Sequence, residues 1–129
     1  SCAMRSTHLP AILALMPTEV QNGIREVNKM TSAGSQSATI NTTADKLFLL
    51  SEIEIFGSVS YSKSGEGTQY DYYKAGNSKV KNYNGSANDW WERSPYGSNS
   101  TRFCLVDRYG IANYGYASGA FGVAFGFCF

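Results

Sequence analysis

Apolar residues recur along the first quarter of the chain at helical spacing. Leu9, Ile12, Leu13 and Met16 fall on one face, behind Ser6 and Thr7 as N-cap candidates and with Pro10 suited to a first turn. Pro17 interrupts the pattern and starts a second one: Val20, Ile24 and Val27, with Glu19 early and Arg25 late, as the helix dipole favours. Helices are therefore expected over residues 6–28, with Gly23 a weak point in the second.

From Asn28 to Leu50 the period shortens. Thr31, Ala38–Ile40 and Leu47–Leu50 are β-type pieces, separated by the Ser/Gly-rich stretch 32–37 and a polar turn at 42–45. They predict a hairpin or two, with Leu47–Leu50 a buried strand. Ser51 and Glu54 match a capping box, so a short helix should run to Phe56 and close at Gly57. Residues 58–67 read as loop. A helix is expected from Glu66 to Ala75, ending at Gly76, with Tyr70, Tyr72 and Tyr73 as a face packed on a sheet. An extended piece begins at Lys79–Lys81.

The C-terminal third is strand and turn. Asp89–Arg93, Thr101–Asp107 and Gly122–Phe129 are strand candidates. In the last, Val123, Phe125, Phe127 and Phe129 alternate with Gly122, Ala124, Gly126 and Cys128. A bare face lets a neighbour approach, which predicts a final strand buried in mid-domain. Adjacent Trp90 and Trp91 must face opposite ways, one into the core and the other toward the base of an exposed face. Arg93 is expected in a buried ion pair with Glu92, Glu52 or Glu54.

Composition narrows the classes. The 129 residues amount to one domain, whole or the C-terminal part of a larger protein, and 43% apolar residues are enough for a core. A net charge of +1 gives no electrostatic case for nucleic acid, and no apolar run is long enough to span a bilayer. The short Leu9–Met16 run contains Pro10 and lacks the pattern of a signal peptide. Thirteen glycines and nine tyrosines, with abundant Ser and Asn, make a mixture typical of binding loops and also of Gly-rich β domains. Cys2, Cys104 and Cys128 show no CxxC spacing, and His8 is the single histidine, so no metal and no cofactor are expected. Cys104 and Cys128 lie on two expected strands. Either a bridge or two buried free thiols fits, and the thiols are preferred because nothing else signals an oxidising compartment.

Three segments carry a resemblance: Asp89–Pro95 (DWWERSP), Phe103-Cys104-x-Val106, and the closing Gly122–Cys128 (GVAFGFC). With the upstream run Asp45–Glu54, they resemble a domain of unknown function common in gut bacteria and their phages, with a WWxRSP-like motif and a GVxxxF-like closing strand. Those domains are similar to the C-type lectin-like fold, in the branch shared with formylglycine-generating enzymes. The resemblance implies an α+β fold with N-terminal helices packed on small antiparallel sheets with long loops. It also implies a target of a diversity-generating retroelement, whose C-terminal coding segment, here residues 85–129, is rewritten at adenines. Asn codons AAC and AAT then reach many residues but never Lys, Gln, Met, Trp or Glu. From Tyr83 onward there is no Lys, Gln or Met, and Trp and Glu occur only in the Trp90-Trp91-Glu92 frame. Chance bias in a Gly/Ser/Asn-rich segment is the alternative.

The residues expected to vary, and to bind, are Tyr96, Arg102, Leu105, Asp107, Arg108, Tyr109, Ile111, Tyr114, Tyr116, Gly119 and Phe121, with Asn99 and Asn113 as unmutated survivors. Leu105 and Asp107 should point outward between Cys104 and Val106, and residues 108–111 and 113–116 should be loop tips. The expected partner is a protein or glycan on a cell or phage-host surface, and the expected location a virion, as in a phage tail, or a bacterial cell surface. No lectin EPN, QPD or WND triplet is present, so calcium and sugar are not carried over. Catalysis is not carried over either. A rival enzyme would draw on Glu52, Glu54, Asp89, Glu92 or His8. A third reading is a structural β module of a tail or surface protein.

Overall fold

A computed structural model describes residues 2–34 and 37–129. A π-helical segment, Met4–His8, runs directly into α1 (Leu9–Ala14), and α2 (Thr18–Gly23) follows Pro17. Because the helix starts earlier than expected, Ser6 and Thr7 lie inside it and cap nothing; the Ser6 hydroxyl donates back to the Cys2 carbonyl. The second helix also ends early. Ile24 is extended, and Val27 opens β1 (Val27–Ser32) instead of closing a helix. The Arg25 amide donates to the Cys128 carbonyl at 2.8 Å, so pairing with the far end of the chain replaces the next helical turn. Gly23 marks the exit. A Cβ there would stand 3.0 Å from the Phe129 ring.

β1 pairs antiparallel with β2 (Ile40–Asp45), from Val27 opposite Asp45 to Ser32 opposite Ile40. Residues 42–45, expected as a turn, are thus strand. Of the connecting stretch 32–37, Ser35 and Gln36 lie outside the described residues. β3 (Phe48–Leu49) is buried as expected. Ser51 then caps α3 (Glu52–Phe56) in a full capping box, closed by Gly57 at φ 76°. α4 (Asp71–Lys74) is shorter than the expected 66–75 helix. Gly67 sits at φ 122°, outside helical geometry, and Glu66 is held by Ser32 and Ser94 instead. Of the three tyrosines there, Tyr73 enters the core while Tyr70 and Tyr72 stay exposed. The extended piece after Lys79 is a hairpin, β4 (Lys81–Tyr83) with β5 (Ser86–Asn88). It turns through Asn84 and Gly85, both at positive φ, the Asn-Gly chemistry of a two-residue hairpin.

The main sheet has the order β8-β7-β6-β9. Its strands are β6 (Trp90–Pro95), β7 (Arg102–Val106), β8 (Ala112–Tyr116) and β9 (Gly122–Val123). β9 runs parallel to β6 on the sheet's edge, and β10 (Phe125–Gly126) pairs with β3. The single buried final strand expected from the alternation is therefore two short ones, with Phe127 and Phe129 exposed. The bare positions do admit neighbours, but different ones. A Cβ at Gly122 would meet the Asp89 carbonyl at 3.1 Å, and one at Gly126 the Phe48 ring at 2.8 Å. Serving two partners forces the break at Ala124.

Trp90 and Trp91 organise the interior. Trp90, 1% exposed, joins Ile55, Tyr73 and Val106 on one face of the sheet. Trp91 turns to the other face and packs on the cluster of Leu9, Ile24, Leu47 and Leu49 under the N-terminal helices. The class is α+β, with both faces of the central strands covered. No helix among the described residues is long and apolar enough to cross a membrane.

Candidate functional site

Behind β6 lies a buried polar frame. Arg93 meets Glu54 through both terminal nitrogens, at 2.5 and 3.0 Å, and donates to the carbonyls of Leu49, Glu66 and Met30. Of the three acids expected to pair with it, Glu54 is the one used. Lys29 adds a second cation 2.5 Å from Glu54 and 2.7 Å from the Tyr70 hydroxyl. Burial opposes the charge on Glu54, but Arg93 and Lys29 outweigh it and hold the carboxyl below its ordinary pKa. Glu52 serves differently. Its carboxylate accepts the amides of Ser60, Tyr61 and Ser62 and the Ser62 hydroxyl, which ties the 58–67 loop to α3 and sets Tyr61 in place.

Tyr61 then meets two of the residues expected to bind. The Tyr96 and Tyr114 rings stack at 4.3 Å and 7°, and Tyr61 packs edge-on against both, at 6.1 and 5.0 Å. The Arg102 guanidinium lies 5.1 Å from the Tyr114 ring and 4.5 Å from that of Tyr116, and it donates to the Tyr116 hydroxyl at 2.8 Å. Strand register explains the gathering. Arg102 opposes Tyr116 and Cys104 opposes Tyr114, so these side chains share one sheet face. Toward one end that face is core, through Val106 and Trp90; toward the other it becomes the tyrosine–arginine patch. The approach is close: Gly97 donates to the Tyr61 carbonyl, and a Cβ there would stand 3.0 Å from that oxygen. Beside the patch, the Asn99 side chain accepts from the amide and hydroxyl of Thr101 and closes the β6–β7 turn.

A second group sits at the opposite end of the β7–β8 hairpin, roughly 13 Å away along the strand. Asp107 accepts the amides of Tyr109 and Ile111, making the tight turn that Gly110 completes at φ 80°. Arg108 is held by Asp89 through its amide and its Nε. Tyr109 and Ile111 project freely, 77% and 60% exposed. Exposed Asn113, on the edge strand β8, lies between the two groups.

Three expected site residues are not presented this way. Leu105 is 2% exposed. It does point away from Cys104 and Val106, but that second face is also core. A Cβ at Gly115 would meet Phe121 at 2.7 Å, Leu105 at 3.1 Å and Trp91 at 3.3 Å, which locates Leu105 and Phe121 in one packed layer. Phe121 sits 4.8 Å from the Trp91 ring, and Gly119 packs tightly on it. Trp91, half-buried, belongs to this packed layer against the helix-side core. Residues 113–116, expected as a loop tip, are strand β8. Tyr61, which the sequence pattern does not single out, lies in a loop 35 residues upstream of Tyr96 with no local signal joining the two.

The residues of the rival enzyme reading have structural occupations. Glu52, Glu54 and Asp89 hold a loop, an ion pair and a turn, and His8 is exposed on the first helix. Glu92 is 2% exposed with neither oxygen hydrogen-bonded, and burial pushes its pKa well up. All three cysteines are free. Cys104 is buried as expected, while Cys128 is exposed because the last residues leave the sheet. Among the described residues no group of three His, Cys, Asp or Glu could hold a metal.

The family described as "Domain of unknown function (DUF6273)" matches residues 10–128. No curated protein and no solved structure matches the chain.

Proposed function

We propose that this chain, which belongs to the DUF6273 family, is a recognition module whose binding surface is the patch of Tyr61, Tyr96, Arg102, Tyr114 and Tyr116. The observation that carries the reading is the convergence of these side chains, from the Tyr61 loop, the residue just after β6, and strands β7 and β8, at the outer end of a sheet whose inner end is core. Tyrosine and arginine dominate the residues whose truncation costs binding most: tyrosine offers large contact area with few rotors to order, and arginine a planar, multi-donor guanidinium. The frame behind them is fixed by Arg93–Glu54, so little ordering remains to oppose a ligand. The turn of Asp107 to Ile111 is a second, separate contact region.

Two finer elements belong to the same proposal. The architecture is C-type lectin-like, a reading supported by N-terminal helices on small sheets with long loops. The exposed positions are diversified by a retroelement, a reading supported by the absence of Lys, Gln and Met after Tyr83. The role is binding rather than catalysis, at a virion or cell surface.

The test is the sequence of the surrounding locus. A reverse transcriptase gene and a near-copy of the 85–129 segment, with Asn codons at 96, 102, 109, 111, 114 and 116, are expected. A locus with neither would remove the diversification reading. Packing adds a constraint: among functional copies, position 105 should stay apolar, because the site is core.

A further inference from the structure

We infer that the tyrosine–arginine patch takes a carboxylate-bearing protein segment, with an acidic side chain of the partner docking on the Arg102 guanidinium. The inference rests on the recognition reading above and narrows it to a ligand class.

Charge carries the first step. Arg5, Arg93 and Arg108 each meet a carboxylate within the chain, at 2.7, 2.5 and 3.2 Å. Arg102 makes no ion pair among the described residues; its partner is a phenol, Tyr116. Its Nε has no acceptor among the described residues but is shielded from water, so a ligand carboxylate would be met by the terminal nitrogens, of which Nη2 already donates to Tyr116. A guanidinium fork matches a carboxylate in two parallel bonds, and the rings of Tyr114 and Tyr116 already hold this one in place. Lys63 supplies a second cation beside the patch, its Cε 3.4 Å from where a Cβ at Gly97 would stand. Glu52, the carboxylate under the Tyr61 loop, is buried and engaged by four hydrogen-bond donors of that loop, so it is not available to Arg102.

Ring geometry carries the second step. A sugar or a nucleobase needs an open aromatic face to lie on. Here Tyr96 and Tyr114 cover each other, Tyr61 closes their edges, and Arg102 lies over Tyr114 and Tyr116. With Tyr114 enclosed, the patch offers a ligand hydroxyl groups and a cation beside the half-exposed Tyr116 ring, which suits the acidic and polar side chains of a polypeptide.

The test is an NMR titration of the whole chain, read at the backbone amides and the arginine Nε–H signals. The ligands are three short peptides alternating Tyr with Glu, Gln or Lys, and an oligogalacturonate. The Glu peptide should shift Arg102 Nε–H and the amides of Tyr96, Tyr114 and Tyr116, and the effect should weaken in high salt. Arg102→Gln should raise its Kd about tenfold or more. If that variant does not fold, Arg102→Lys, which keeps the charge and loses the fork, should still bind more weakly. Shifts at these residues from the Gln or Lys peptide, or from the oligogalacturonate alone, would overturn the acidic-peptide inference and leave the recognition reading standing. Silence at these residues with every ligand would overturn both.

Discussion

Glu92 is a carboxyl group in the interior with no donor of its own. Burial is the largest cause of its raised pKa, and the nearby carboxylates Glu52 and Glu66 push the same way. The sign of its effect on stability follows. An unfolded Glu titrates near pH ~4.3, so this group's contribution is complete below that value. It is lost as pH rises toward the folded-state pKa, because the unfolded chain can ionise and the folded one resists. In thermal melts from pH 4 to pH 8, Glu92→Gln should therefore gain on the native chain as pH rises; equal curves at both ends would contradict this. Arg93 is the opposite case, a charge with every partner in place. Arg93→Ala leaves Glu54 with Lys29 as its one cation and takes the donor from three backbone carbonyls, and should cost about 3–5 kcal/mol by denaturant unfolding. A variant melting with the native chain would show the ion pair to be dispensable. The sequence made the need for a partner to Arg93 legible, but not the choice. Glu54 wins because the capping box already aims its carboxylate inward, and Lys29, contributed by a distant strand, has no signal near Glu54.

Among the elements, those specified by a few adjacent residues were the most legible. The Ser51 capping box and the αL closure at Gly57 depend on local chemistry, and the Phe48–Leu49 strand, although it pairs with the distant β10, is marked by an uninterrupted apolar run. Ser51→Ala loses the cap and a hydrogen bond to the Glu66 carbonyl. It should cost about 1–2 kcal/mol in chemical denaturation, and no measurable loss would show that the cap is replaceable. Elements decided by distant pairing differ from what their local pattern predicts. Val20, Ile24 and Val27 fit a helix, but Arg25 pairs with Cys128, and that contact converts the second half into strand. Strand β7 gives the sharpest case. Alternation along it assigns the two faces, as the structure has them, but does not say which of them is wet. With helices under one face and α3 and α4 over the other, Leu105 has no solvent to reach. Leu105→Ala should destabilise by about 2–5 kcal/mol, whereas Ile111→Ala should stay within about 0.5 kcal/mol. Equal effects would mean that the two residues share an environment.

For the whole molecule, one covered sheet separates two kinds of position. Trp90 and Trp91 anchor opposite core clusters, and the hairpin beside them carries a tyrosine–arginine patch at one end and an exposed turn at the other. Thirteen positions were expected to form one surface. The structure gathers Tyr96, Asn99, Arg102, Tyr114 and Tyr116 at one end, leaves Asp107, Arg108, Tyr109 and Ile111 at the other with Asn113 between, and packs Leu105, Gly119 and Phe121 inward. The patch also includes Tyr61, which only the folded chain brings near. The exposed positions should therefore change freely while the packed ones should not. Protease-resistance selection of a displayed library randomised at Tyr96, Arg102, Tyr109, Ile111, Asn113 and Tyr116 tests this most directly. Most members should remain as resistant as the native chain, while a matched library at Trp90, Leu105, Val106 and Phe121 should lose nearly all resistant members. Comparable loss from both libraries would contradict the separation of frame from face.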